Sequence, residues 1–156
     1  MDLTASLLDY GERTALPDWL HFHRALALEL AAGLPDSEIQ RLFWRIGQRV
    51  AAAMPIVRCD DTLHLQHCFN DHWATLGMGV ALLGEEADAL RITHACSPVA
   101  RHFGPDGSNW ANGFFEGVYG VWFESQGLPP GLAVRALPTQ EGQAVIELRL
   151  ARAHPR

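Results

Sequence analysis

The chain has 156 residues, of which 48% are hydrophobic, which is enough for one hydrophobic core. Its formal net charge is -6, and it contains 12 arginines but no lysine. This composition offers no basic stripe that would follow a phosphate backbone, so we expect no nucleic-acid partner. We expect a single domain over residues 1–156, in which residues 1–16 form a candidate N-terminal arm.

The opening segment lacks a basic region followed by a continuous apolar run and a cleavage motif, so we expect no signal peptide. No apolar run approaches the roughly 20 residues that a membrane span needs. The three cysteines, Cys59, Cys68 and Cys96, are an odd number without a C-x-x-C pair. This spacing argues against a disulfide framework and against a structural zinc site, and it favours the cytoplasm.

Three helices are predicted in the first half of the chain, over residues 17–33, 36–54 and 62–77. A proline suits the start of the first helix, and glycines suit the ends of the first and third. The second helix carries apolar residues at helical spacing at Ile39, Leu42, Phe43, Ile46 and Val50, and the third at Leu65, Phe69, Trp73 and Leu76.

The second half of the chain alternates between strands and one further helix. Residues 79–96 predict a hairpin, because Leu90, Ile92 and His94 alternate with polar residues. Residues 97–109 are rich in turn formers and predict one long loop, and a second hairpin is expected to turn near residues 139–143. The order predicts an α+β fold: three N-terminal helices, then hairpin, helix and hairpin, giving a four-stranded antiparallel sheet with helices packed on it.

The predicted helix between the hairpins, NWANGFFEGVYGVWFESQG, contains Gly113, Gly117 and Gly120 within about 60° of one another. Each glycine costs about 1 kcal/mol relative to alanine inside a helix, so another interaction must offset the loss. Aligned glycines allow a second backbone to approach closely. The neighbour is a helix of the same chain, a symmetry-related subunit or a ligand, and the spacing leaves these alternatives open.

Motifs in this half resemble the core of a bacterial cellulose biosynthesis family, the D subunit of cellulose synthase: LRITHACSPV, a tryptophan after a loop, and EGVYGVWFESQ. The matching positions are Leu90, Arg91, Ile92, His94, Trp110, Glu116, Gly117, Tyr119, Gly120, Trp122, Ser125 and Gln126. Weaker similarity extends the resemblance to roughly residues 40–150. The chain departs from the family pattern in three places. Its N-terminal segment is not recognisably shared with the family, one residue is inserted between Trp110 and Glu116, and its terminal hairpin is shorter.

The resemblance implies a non-enzymatic accessory or scaffold subunit of cellulose biosynthesis. Such a subunit forms a ring-like or cylindrical homo-oligomer, an octamer assembled from dimers, that helps to organise the export and crystallisation of glucan chains. The implied partners are the cellulose synthase complex, a proline-rich scaffolding protein and the glucan chain, and the implied location is the cytoplasm near the inner membrane. The residues expected to support oligomerisation or helix packing are Gly113, Gly117, Gly120, Tyr119 and Trp122.

A glucan chain is neutral, with apolar ring faces and hydroxyl edges, so aromatic and polar side chains suit it. Trp19, Trp110 and Tyr119 are therefore candidate glucan contacts, with burial in the core or in a subunit interface as the alternative for each.

His64, His67 and Asp71 share one face of the third predicted helix, a spacing that metal ligands can have. No other cluster of ligands is evident to complete the shell, so we expect no metal ion. We also expect no cofactor and no catalytic residue: Cys68 lies one helical turn from His64, but no third group orients them as a nucleophile and base.

His72 and His94 are expected to be hydrogen-bonded structural histidines. Two other hypotheses remain open at this point. One is a small-ligand sensor of the haem type, in which His67 or His72 would ligate the iron. The other is a plain dimeric adaptor without glucan contact.

Overall fold

The structure is a computed structural model that describes residues 19–138 and 145–153. The described helices are α1 (Leu20–Gly33), α2 (Asp36–Ala53), α3 (Thr62–Leu76), α4 (Val99–Phe103) and α5 (Gly107–Glu124). The described strands are β1 (Val80–Glu85), β2 (Leu90–Ala95), β3 (Leu132–Ala136) and β4 (Val145–Arg152). The candidate arm at residues 1–16 and the predicted turn at residues 139–143 lie outside the described residues.

The four strands form one antiparallel sheet in the order β1-β2-β4-β3. Each hairpin contributes two neighbouring strands, and β2 joins β4 in the middle of the sheet, where His94 pairs with Ile146. The predicted α+β fold with a four-stranded antiparallel sheet is therefore confirmed. The strands β1 and β3 form the two edges.

The two faces of the sheet differ in chemistry. On the inner face Ile92, His94 and Leu148 are fully buried against the helices. On the outer face the Thr93 hydroxyl donates to a carboxylate oxygen of Glu147 at 3.0 Å. The alternation predicted along β2 is thus confirmed, because successive side chains of a strand point to opposite faces.

The prediction of one long loop over residues 97–109 is wrong. The segment contains the short helix α4, and α5 already begins at Gly107. Gly104, between the two helices, has a φ of 84°, which favours glycine, and Val99 is buried. Turn-forming residues indicate that the chain bends within this segment. They do not exclude the short helix α4, which the burial of Val99 stabilises.

Helix α3 has the boundaries that local chemistry favours. The Asp61 side chain accepts a hydrogen bond from the backbone N–H of His64 at 2.7 Å, which caps the start of the helix. Gly77 ends the helix in the left-handed conformation, at a φ of 63°. The apolar face predicted for this helix is confirmed at Phe69 and Trp73, which are fully buried. This face packs against α5, where the Phe69 and Trp122 rings stack with centroids 5.2 Å apart.

Helix α5 lies at the centre of the fold, between α2 and the inner side chains of the core. Most of its residues are buried, including Phe114, Phe115 and Val118. In α2, by contrast, Ile46 belongs to the predicted apolar periodicity but is exposed. The two helices differ in the burial of their apolar residues because α5 is covered on several sides, whereas α2 is covered on one.

Candidate functional site

Helices α2 and α5 approach each other through glycines on both sides. A Cβ atom at Gly113 would collide with the carbonyl oxygen of Gln40, and one at Gly117 with that of Trp44. From the opposite helix, a Cβ atom at Gly47 would collide with the carbonyl oxygen of Phe114. All three approaches would be closer than 3.0 Å, so only glycine fits. The close neighbour of Gly113 and Gly117 is thus a helix of the same chain.

Gly47 was not singled out by sequence reasoning. It lies in the middle of α2, where a glycine costs about 1 kcal/mol relative to alanine, and that cost is the signal that would have indicated a close contact. Gly120 behaves differently from the other glycines on its helix face, since a Cβ atom there would meet nothing within 4 Å. Its open side faces a surface groove.

The groove lies between α2, α5 and β3, beside the glycine contact. Its deeper part has a volume of about 320 Å³, and a shallower part of about 570 Å³ continues from it. Trp44, Glu116 and Arg135 line both parts. The deeper part is also lined by Gln48, Gly117, Gly120, Glu124 and the segment 128–134. The lining therefore combines two aromatic residues, Trp44 and Phe123, with several polar groups and the open backbone at Gly120.

Glu116 connects the two structural layers of the groove. Its carboxylate accepts a hydrogen bond from the backbone N–H of Ala136, on edge strand β3, at 2.7 Å. Burial raises the pKa of Glu116, and the hydrogen bond from Ala136 and the nearby Arg135 charge act in the opposite direction. Glu116 thus positions β3 against α5 and brings a partly desolvated carboxylate to the groove.

Trp44 is the aromatic residue that sequence reasoning missed. Its side chain is 37% exposed and lines both parts of the groove. It falls outside the predicted apolar face of α2, and an aromatic residue on the polar side of an amphipathic helix is the signal that would have found it.

The three aromatic residues predicted to contact glucan have different environments. Trp110 is 1% exposed and Tyr119 is 0% exposed, whereas Trp19 is 52% exposed. Stacking on a sugar ring needs an accessible aromatic face. Trp110 and Tyr119 have no accessible ring face in this conformation, so the prediction that they contact glucan is corrected. Trp19 remains a candidate glucan contact. The expected role of Trp122 as an anchor of the helix agrees with its burial at the Phe69 ring.

Tyr119 belongs to a buried chain of hydrogen bonds. Trp73 Nε1 donates to the Tyr119 hydroxyl at 3.0 Å, and His94 Nε2 lies 2.8 Å from the carbonyl oxygen of Met78. A carbonyl only accepts, so Nε2 carries the proton, and His94 Nδ1 then accepts from the Tyr119 hydroxyl at 2.8 Å. The network satisfies every polar atom of the His94 ring.

Burial lowers the pKa of His94 to about 4, although the hydrogen bond to Met78 acts in the opposite direction. The expectation of a structural, hydrogen-bonded His94 therefore agrees with its contacts. His72 has a similar role nearer the surface, where its Nε2 lies 3.2 Å from the carbonyl oxygen of Pro55 and its ring lies beside Trp122. His67 is exposed, and neither His67 nor His72 lines the groove.

Large apolar side chains are exposed along α1. Trp19, Phe22 and Leu26 follow the i, i+3, i+7 spacing of one helix face, and all three are exposed. We call these three residues the α1 apolar face. On edge strand β1, Val80 and Leu82 are exposed on the outer side of the sheet. Contiguous apolar surface of this kind typically marks an interaction site.

His64 does not join His67 and Asp71 in one cluster. Among the residues that the structure describes, the potential metal ligands that converge are Cys59, His64 and Cys68, whose ligand atoms all lie within 4.8 Å of one another. Burial raises the pKa of the Cys59 thiol to about 11, and the neighbouring Cys68 contributes in the same direction. Cys59 is thus a poor nucleophile at neutral pH, since the thiolate is the reactive form.

These features define a small α+β protein that offers an open groove and exposed apolar surfaces, as binding and assembly proteins do. A search of curated proteins finds no match to the chain. The family model for the D subunit of cellulose synthase matches residues 6–150, and the chain belongs to this family. It is accordingly an accessory subunit in cellulose biosynthesis, associated with the cellulose synthase complex.

The family match also corrects one expectation. Because it begins at residue 6, the N-terminal segment is shared with the family, contrary to the departure inferred from the sequence. Family membership favours the accessory role over the haem-type sensor that His67 or His72 would have served. In the part of the chain that the structure describes, each helix is too short or too polar to cross a lipid bilayer.

Proposed function

We propose that this chain is a non-enzymatic scaffold subunit that assembles into a ring-like or cylindrical homo-oligomer and guides glucan chains during export and crystallisation. The observation that carries the proposal is the groove, in which the exposed Trp44 ring lies beside the side-chain-free surface of α5. The whole chain acts as one domain in this proposal. The buried apolar side chains of the described residues, from Ala27 to Leu150, support this by forming one cluster.

The lining of the groove suits a neutral polysaccharide. The apolar face of a glucose ring stacks on an indole, and its equatorial hydroxyls pair with amides and carboxylates. Trp44 supplies the indole, while Gln48 and Glu124 supply polar groups on the same side. Gly120 has open space where a Cβ atom would be, so a flat chain can approach the backbone of α5 at this position.

Self-association is supported by the α1 apolar face. An amphipathic helix normally turns its large apolar residues inward, but in α1 the only buried residue is Ala27. A second copy that covers Trp19, Phe22 and Leu26 would remove these side chains from water, at about 25 cal/mol per Å² of apolar surface. We propose that dimers formed in this way assemble into an octamer.

The proposed location is the cytoplasmic side of the inner membrane, where a proline-rich scaffolding protein would arrange the particles beside the synthase. The three cysteines are free, as expected for a reducing compartment, although Cys59 and Cys68 are close to each other.

The assembly is tested by measuring mass in solution with light scattering coupled to size-exclusion chromatography. We expect a particle of about eight chains. Phe22→Glu should reduce the particle mass, because it places a charge in the proposed contact. Ala31→Glu is the matched control, since Ala31 is exposed on the opposite side of α1. A wild-type monomer, or a plain dimer, would contradict the octamer, and a dimer would support the simple adaptor.

Glucan contact is tested separately by titrating a soluble cello-oligosaccharide into the assembled protein in a calorimeter. Trp44→Ala and Gly120→Leu should weaken binding, the first by removing the ring and the second by filling the groove. Leu63→Ala is the control, because Leu63 is an exposed apolar residue of α3 that lies outside both the groove and the α1 apolar face. An intact particle whose oligosaccharide binding is unaffected by Trp44→Ala would eliminate the groove as the glucan site while leaving the assembly in place.

A further inference from the structure

A cluster of three side chains lies at the junction between α2 and α3, away from the groove. Cys59 is in the segment that links the two helices, and His64 and Cys68 are on the first turns of α3. Positions i and i+4 of a helix lie on the same face, so His64 and Cys68 project in one direction. The linker bends at residues 60–61, directly before α3, and Cys59 meets the two side chains there.

The backbone around Cys59 is held in place from a third element. The Cys59 N–H donates to Gln126 Oε1 at 2.8 Å, and Gln126 Nε2 donates to the carbonyl oxygen of Val57 at 3.1 Å. Gln126 follows the last turn of α5. Gln126 thus holds the backbone at Cys59, and the Cys59 thiol donates to the carbonyl oxygen of Val57 at 3.3 Å.

The separations match those of a metal centre. The ligand atoms of Cys59, His64 and Cys68 lie within 4.8 Å of one another, and the two sulfurs are 3.6 Å apart. Two thiolates on one tetrahedral zinc ion, with Zn–S bonds of about 2.3 Å, are separated by about 3.8 Å. Cysteine sulfur and histidine nitrogen are also the ligands that zinc prefers.

We propose that Cys59, His64 and Cys68 bind a thiophilic divalent metal ion, zinc being the best fit, with a solvent molecule as the fourth ligand. Binding releases one proton from each cysteine thiol, since the ion itself stabilises the coordinating thiolate, and it changes no oxidation state. The ion would join the α2–α3 linker to α3 and, through Gln126, to the end of α5. The site is independent of the proposed glucan groove.

The spacing of these residues was not read as a site from the sequence. Reasoning from one helix grouped His64 with His67 and Asp71, which share its exposed side but do not converge with it in the fold. The C-x4-H-x3-C spacing becomes a site because the chain bends at residues 60–61, just before α3, and brings Cys59 to His64 and Cys68.

The experiment is a titration of metal-free, reduced protein with Co²⁺, followed by competition with Zn²⁺. We expect one ion per chain, with the near-ultraviolet absorption of thiolate-to-cobalt charge transfer and the visible bands of a tetrahedral centre. Cys59→Ser and Cys68→Ser should each lose the charge-transfer band in part or completely and weaken Co²⁺ binding by at least tenfold. Zn²⁺ should displace the cobalt and raise the melting temperature of the wild type.

Two controls test the position of the site. Cys96→Ser, at an exposed cysteine elsewhere, and His67→Ala, on the same helix, should bind Co²⁺ as the wild type does. His64→Gln provides a ligand variant that alters an exposed side chain and so leaves folding intact if a serine variant fails to fold. It should weaken Co²⁺ binding by at least tenfold.

Three results would overturn the proposal. The first is the absence of a charge-transfer band in the wild type, and the second is wild-type Co²⁺ affinity in His64→Gln. The third is a Cys59–Cys68 disulfide, detected by mass spectrometry after thiol blocking in protein prepared with reductant, because oxidised sulfurs cannot serve as thiolate ligands.

Discussion

Replacing Gly117 with alanine adds a single methyl group at the point where α5 touches α2. The methyl carbon would collide with the carbonyl oxygen of Trp44 and lie 3.1 Å from the backbone nitrogen of Gln48. Both obstacles are backbone atoms of a helix, so a rotamer change cannot relieve the contact. The helices must separate, and the neighbouring contacts at Gly113 and Gly47 are then lost as well.

Gly120→Ala is the matched variant that isolates this effect. It makes the same chemical change in the same helix, but its methyl group would meet nothing within 4 Å. Alanine favours a helix over glycine by about 1 kcal/mol at either position, so this contribution cancels when the variants are compared. Overpacking costs about 1–3 kcal/mol, and we expect Gly117→Ala to be less stable than Gly120→Ala by that amount.

The assay is urea unfolding monitored by circular dichroism, at one protein concentration because assembly contributes to apparent stability. In thermal melts the same difference corresponds to about 2–12 °C for a chain of this size. Gly120→Ala itself should be at least as stable as the wild type. If the two variants unfold at the same urea concentration, the close approach of α2 and α5 does not constrain residue 117, and the reasoning is refuted.

Three further predictions concern the buried polar groups. The pKa of His94 is about 4 in the folded protein, whereas the ordinary pKa of a histidine is 6.5, so the unfolded state binds the proton more tightly. The free energy of unfolding should therefore fall by about 3 kcal/mol as the pH falls from 6.5 to 4. Urea unfolding at several pH values measures this loss, and His94→Gln should show a flatter dependence; equal slopes would contradict it. Tyr119→Phe leaves Trp73 Nε1 and His94 Nδ1 without their partner and should cost about 1–3 kcal/mol, which an unchanged unfolding midpoint would disprove. Glu116→Gln keeps an acceptor for the Ala136 N–H without a buried charge, so its stability at pH 7 should match or exceed that of the wild type. Glu116→Ala removes the acceptor and should lose about 1 kcal/mol of stability. If thermal melts give the reverse order of stability, Glu116 does not position β3 by this hydrogen bond.

The architecture follows largely from local patterns in the sequence. Helical spacing predicted the buried face of α3 at Phe69 and Trp73, and alternation predicted the two faces of β2. A glycine predicted where α3 ends, at Gly77. These features were predictable because the period of a side-chain pattern depends on the geometry of one element and needs no knowledge of its neighbours.

The functional surface depended on how the elements come together. The spacing of Gly113 and Gly117 indicated a close neighbour, but only the fold identified it as α2 and left Gly120 open to the groove. The sequence did not establish that Trp110 is buried, because α5 is covered on several sides and its aromatic residues therefore do not form a single apolar face.

The sequence by itself determined the type and order of the elements other than α4, and membership of the family of cellulose synthase D subunits, since both depend on residue identity at given spacings. The tertiary structure alone decided which aromatic rings remain accessible, where the groove lies, and that Cys59 meets His64 and Cys68. Burial and convergence are properties of residues distant in the chain, and no local period encodes which distant residue covers a given face.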